Sequence, residues 1–218
     1  EIVPCTFQFD TEATKILIPG LFEFSRATFP GFQMLPNTDK WLLIRNYQKV
    51  FQGIDSELRT LRSFGKGSNN LFGSYTTYIK GDHVDYFFSD CPDTRVIDII
   101  RTMHRWLEDN VPKMKKQIHR IDPSEEELLA MIGIALWSVE NLEASDELLT
   151  LAARYRTEIM AELVAHYRQT IGQERGASRL GVLLCLLQEF RRVITSMHPV
   201  YEIYRILDIF DDDSILYK

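Results

Sequence analysis

The chain has 218 residues, enough for one sizeable core and short for two ordinary domains. Hydrophobic residues make up 45% and charged residues 26%, the mix of a folded chain, and the net charge of −6 argues against free-standing nucleic-acid binding. Cys5, Cys91 and Cys185 are odd in number and far apart, which excludes a zinc-finger framework or a dense disulfide scaffold and fits a reducing compartment; the five histidines show no HxxxH or HExxH spacing.

Taken in order, residues 11–28 carry Ile16, Leu17, Ile18, Leu21, Phe22 and Phe24, and predict a helix interrupted near Pro19-Gly20. Asn37, Thr38 and Asp39 are capping residues for a helix over 39–63, where Leu42, Leu43, Val50, Phe51, Ile54, Leu58 and Leu61 recur at three- and four-residue steps. The turn-rich "GKGSNNLFGS" (65–74) follows, and two β-favouring runs around Lys80-Gly81-Asp82 predict a small hairpin. From Asp93 onward the pattern is helical. Val96, Ile97, Ile100, Met103 and Leu107 share one face, and Asp122-Pro123 with acids in the next turn opens another helix. A long helix is expected over about 145–171 and a further one over 178–196. The body of that last helix, "LGVLLCLL", reads as buried on more than one side. The final segment runs from Val200 to Phe210, stops at Asp211, Asp212 and Asp213, and is followed by "SILYK". There is no internal repeat or low-complexity linker, so a single domain over 1–218 is expected.

No run reaches the roughly 18 apolar residues of a membrane span. The opening "EIVPC" has neither an initiating Met nor a signal-peptide pattern, and the chain is read as an excised domain of an intracellular protein. An enzyme is not expected: Gly65-Lys66-Gly67 is a lone GxG, and no Ser/His/Asp or Cys/His spacing stands out. A ligand-sensing bacterial repressor needs a basic helix-turn-helix that this acidic chain lacks.

"FSR" (24–26), Phe32, Leu35, Asp39-Lys40 and Leu42-Leu43 resemble the signature of nuclear receptor ligand-binding domains. In that family an aromatic-Ala-Lys triplet ends helix 3, and a Phe, a Leu and an Asp-Gln or Asp-Lys pair lead into helices 4 and 5. "DPSEEELLAMIGIAL" is similar to the family's helix 8, "RYRTEIMAELVAHYRQTI" to helix 9, and "SRLGVLLCLLQEFRRV" to helix 10. Within the family, "DKWLLIRNYQKVFQGIDSELRT" and "IFDDD" look most like the nematode receptors related to hepatocyte nuclear factor 4.

The resemblance implies an all-α, layered helical sandwich with one small β-hairpin, belonging to a nuclear transcription regulator. It also implies a groove for a coregulator helix of LxxLL pattern. Trp41 and Leu42 help to form the trough, Arg45 faces the peptide's C-terminal end, and Ile215 and Leu216 come from helix 12. Arg45 as a merely solvated side chain is the other reading. Arg26 is the helix 3 clamp if the local spacing allows it, since counting back from Pro30 puts Ala27 there instead. Lys218 falls near the position where the family has a glutamate.

For the ligand, the resemblance places Arg59 against the carboxylate of an apolar acid such as a fatty acid, its chain among Ile54, Leu58 and Met103. The competing reading pairs Arg59 with Asp55, or with Glu57 at the surface. A homo- or heterodimer through Leu183, Leu187 and Arg191 is weighed against a monomer whose helix 10 is core. No cofactor is expected. DNA contact and zinc belong to an upstream module that three scattered cysteines cannot build. The rival reading of the whole is a ligand-independent interaction and dimerisation module with a filled core.

Overall fold

The computed structural model describes residues 1–64, 68, 70–80, 83–91, 97–139, 142–197, 199 and 202. In chain order these form β1 (Val3–Pro4), α1 (Phe7–Thr28), a 3-10 turn (Pro30–Met34), α2 (Asn37–Phe64), β2 (Asn70–Phe72), β3 (Thr77–Lys80), α3 (Val84–Phe87), α4 (Ile97–Ile121), α5 (Glu125–Leu136), α6 (Asp146–Thr170) and α7 (Gln173–Thr195). The all-α class holds, with a small three-stranded sheet.

Three boundaries differ from expectation. Helix α1 is continuous through Pro19; Pro19 and Gly20 lie on its exposed side, where a carbonyl left without a donor stays open to solvent. The hairpin sits earlier than predicted: β2 pairs antiparallel with β3 across Gly73–Thr76, and the run after Asp82 is the short helix α3. In addition, β1 joins the sheet parallel to β3, giving the order β1-β3-β2. Helix α7 starts at Gln173 rather than 178, because Gly172 alone (φ +86°) makes the break after α6.

The chain divides into two compact units. One comprises Glu1–Leu17, Gln52–His119 and Phe190–Lys218, and the other Ile18–Phe51 and Arg120–Glu189. The core of the first gathers Cys5 and Phe7 before and within α1, Ile79 of β3, Val84 and Phe87 of α3, and Ile99, Met103, Leu107 and Val111 along α4. In the second, Phe29, Trp137 and Tyr155 pack ring against ring with centroids 4.6–5.3 Å apart. Its helix starts follow local chemistry. Ser124 and Glu127 form a reciprocal capping box on α5, and the Ser145 hydroxyl accepts from Leu148 N at the start of α6.

Candidate functional site

The groove residues expected from α1 and α2 gather in the second unit. Trp41 is 37% exposed and packs edge-on against Phe22 with ring centroids 4.6 Å apart; Leu42 beside it is half-buried. Arg45 lies one helical turn after Trp41, on the same face. It is exposed and makes no side-chain hydrogen bond or ion pair among the described residues. Arg26 is also exposed, but its guanidinium is held by Glu23 at 2.5 Å. Lys40 is committed as well, donating to Gln33 O at 2.9 Å. Arg45 is therefore the cation on this face most available to a partner. Ile215, Leu216 and Lys218, like Asp211–Asp213, fall outside the described residues.

Asp39 of the signature is not a surface cap. It is 6% exposed and accepts a hydrogen bond from the Ser145 hydroxyl, the same hydroxyl that caps α6. The signature acid thus ties the start of α2 to the start of α6 and fixes the surface that Trp41 and Arg45 present.

The expected ligand residues fall in the first unit. Ile54 is fully buried, Leu58 half-buried, and Met103 belongs to the core cluster around Phe7 and Phe87. Gly53 lets Ile194 of α7 approach α2; a Cβ there would meet the Ile194 Cδ1 at 2.9 Å. Arg59 donates to the Asp55 carboxylate and to the carbonyls of Gly73 (3.2 Å) and Tyr75, and its guanidinium lies 4.4 Å over the Phe72 ring. It fastens α2 to the turn between β2 and β3.

Glu57 is a correction to the sequence reading. Instead of lying at the surface it is 6% exposed, and its Oε2 accepts no hydrogen bond among the described residues. Burial pushes its carboxyl up to about 7, partly offset by Lys115 of α4. Lys115 is itself 6% exposed and donates to Ser68 O at 2.6 Å and Asn70 O at 2.8 Å. The signal for both lay in the periodicity. Glu57 continues the stripe Val50, Ile54, Leu61, and Lys115 lies between Val111 and Ile118 on the buried side of α4.

Helix α7 also differs from expectation. Leu183 and Leu187 are each 2% exposed and face the interior, and Arg191 is half-buried. The outward side carries Gly181, Val182 (42% exposed) and Cys185, so "LGVLLCLL" is buried on one side only. Arg179, at the head of this run, grips Glu127 through two bonds of 2.6 Å and also donates to Ile121 O (2.7 Å) and Asp122 O (3.1 Å). Tyr167 adds a third donor to Glu127 at 2.6 Å. Burial pushes the Glu127 carboxyl up, but the bonds from Arg179, Tyr167 and Ser124 outweigh it and hold it at about 2.

Among the described residues no helix is long and apolar enough to cross a membrane, and no group of His, Cys, Asp or Glu is placed to hold a metal. A search of curated proteins gives no match. The fold is similar to that of the Ultraspiracle ligand binding domain from Drosophila melanogaster: TM-score 0.69, 14% identity, covering 94% of this chain and 75% of that one. The model of the family described as the ligand-binding domain of nuclear hormone receptor matches residues 11–207. That match spans most of the chain, and with the signature around Asp39 it leads to one identification: the chain belongs to the family of nuclear hormone receptor ligand-binding domains.

Proposed function

We propose that this domain recruits a coregulator helix for a transcription factor that works in the nucleus, and that a small apolar ligand governs the recruitment. The observation that carries this is the exposed pair Trp41 and Arg45 one turn apart on α2, a flat apolar surface beside an uncommitted cation. Such a pair suits the end of an amphipathic helix, whose apolar side chains enter the trough while its free carbonyls meet the guanidinium. A labelled LxxLL peptide titrated against the domain tests this by fluorescence anisotropy. Arg45→Glu is expected to weaken binding about tenfold, and Arg26→Ala to do much less because Glu23 already holds Arg26. Equal loss in the two variants counts against Arg45 as the clamp.

For the ligand, an apolar acid such as a fatty acid remains our reading. Its carboxylate would take the place of Asp55 on Arg59, exchanging one anion for another on the same fork. Ligand occupancy acts only through a difference in affinity between two arrangements of the domain. The full burial of Ile54 and the contact of Ile194 with Gly53 favour a second reading, a ligand-independent module with a filled core. Native mass spectrometry separates the two: a retained acidic lipid that is lost in Arg59→Ala supports the sensor, and no bound species supports the module. Dimerisation, homo- or heteromeric, is proposed through the outward face of α7 at Val182 and Cys185, in place of the inward Leu183 and Leu187. Membership among nematode-type receptors related to hepatocyte nuclear factor 4 is proposed on the stretches 39–60 and 209–213 of the sequence.

A further inference from the structure

We infer that a cleft in the first unit, formed where β1, β3 and α3 meet, binds a small aromatic zwitterion. The cleft encloses about 400 Å³, the size of a small-molecule site. Its floor is apolar and made by Pro4 of β1, Ile79 of β3 and Phe87 of α3. Ile79 and Phe87 are buried, and Phe87 is braced from behind by Phe7 and Phe88 at centroid distances of 6.2 and 4.9 Å. A floor held in this way is formed before any ligand arrives, so little is lost in ordering it on binding. Apolar ring carbons of a proline and a phenylalanine suit an aromatic body.

The mouth is polar and carries opposite charges. Lys80 stands at the end of β3, His83 at the start of α3, and Asp85 within α3. All three are exposed, and none makes a side-chain hydrogen bond or ion pair among the described residues. The contrast with Arg59, Lys115 and Arg179, each committed to two or more protein oxygens, is chemical: the cleft's charges are left for something else. A simple carboxylate would meet Lys80 but be repelled by Asp85, and a simple amine would meet the reverse. A ligand bearing both a carboxylate and an ammonium on a flat apolar body satisfies both side chains at once.

L-tryptophan is the probe, with tryptamine and indolepropionate as versions lacking one charge each, and binding to the intact domain is read by isothermal titration and ligand-observed NMR. L-tryptophan is expected to bind saturably and more tightly than either comparator. Lys80→Glu should weaken it about tenfold, and Lys80→Gln by somewhat less, as loss of one charge-assisted contact implies. An excess of a fatty acid such as palmitate should leave it unchanged, which separates this cleft from the interior site. The inference is overturned by absence of saturable binding, by binding that ignores both Lys80 substitutions, or by binding that the fatty acid displaces. Circular dichroism of each variant excludes loss of fold, and Lys80 is an exposed position where either substitution is tolerated.

Discussion

Among the described residues each compact unit buries one glutamate, and the two have opposite fates. Glu127, in the second unit, is 4% exposed and receives the Arg179 fork, the Tyr167 hydroxyl and the Ser124 backbone N–H. Glu57, in the first, is 6% exposed and among the described residues has an oxygen with no donor, its charge offset by a lysine already bound to two carbonyls. Their exposure to solvent is nearly the same, but the Glu57 carboxyl is packed more deeply among protein atoms; the carboxyl sits at about 2 in one and about 7 in the other. Low exposure alone therefore does not set the charge of a carboxyl; its depth and the number of donors that come with it do so together.

The largest effect comes from breaking the satisfied site. Arg179→Ala leaves Glu127 buried without its fork and frees the carbonyls of Ile121 and Asp122, the latter in a turn with positive φ (46°). A loss of about 3 kcal/mol is expected, because one partner of a buried pair is removed and the other stays. Urea unfolding monitored by circular dichroism measures it, and a loss below about 1 kcal/mol would mean that the clasp is only ornamental. Gly176 serves the same site. A Cβ there would meet the Tyr167 Cβ at 2.6 Å, so α7 reaches this position only with glycine.

The orphan site is expected to respond in the other direction. In the folded chain the Glu57 carboxyl holds its proton up to about pH 7, whereas in the unfolded chain it loses it near pH 4.3. Between those values the folded state binds the extra proton, so stability falls as pH rises and levels off above 7. Glu57→Gln, always neutral, should thus stabilise the domain by on the order of 2 kcal/mol at pH 8 and by almost nothing at pH 4. Thermal unfolding at the two pH values decides it; equal effects at both would show that the carboxyl is ionised in the folded state. For Glu127 the sign is reversed: its contribution is complete above pH 4.3 and is lost as pH falls toward 2.

Much of this was legible in the sequence, and what was not has a common cause. Capping chemistry is local, so helix starts are legible to within a turn: α6 begins at Ser145 as expected, whereas α5 is capped by Ser124, two residues after the Asp122 that the sequence offers. The direction of a helix face is not local. "LGVLLCLL" says how apolar α7 is but not that Leu183 faces in while Val182 and Cys185 face out. The β-favouring residues around Lys80 were recognised, but their partners were not, because β3 is claimed on one side by β2 and on the other by β1, seventy residues earlier in the chain. Of the candidate site, the resemblance names Trp41, Arg45 and Arg59 but not their surroundings: Trp41 and Arg45 share an exposed face of α2, whereas Arg59 is bound to Asp55 and to two carbonyls of the β2–β3 turn.

Asp39 lies between the two glutamates: 6% exposed, with a single side-chain donor among the described residues, the Ser145 hydroxyl. Ser145→Ala removes that donor and the α6 cap together and should cost about 1.5 kcal/mol. Ser145→Asp keeps a capping oxygen but sets a second carboxylate beside Asp39, so it should be no better than alanine. Recovery of wild-type stability by aspartate would assign the whole effect to the cap and none to Asp39.

The smallest effect should come from Tyr167→Phe, and it tests the comparison most closely. This change removes one of Glu127's donors and leaves the Arg179 fork and the Ser124 N–H in place. The ring stays buried, so no cavity opens beyond the lost oxygen. If the carboxyl's state follows the number of donors, the loss is about 1 kcal/mol, and the Glu127 titration followed by carbonyl NMR moves up from about 2 while staying below the ordinary carboxylate value. If the three donors act as one unit, losing the hydroxyl lets the fork loosen, and the cost approaches that of Arg179→Ala. The double variant distinguishes the cases, since independent donors give additive losses and a coupled network does not.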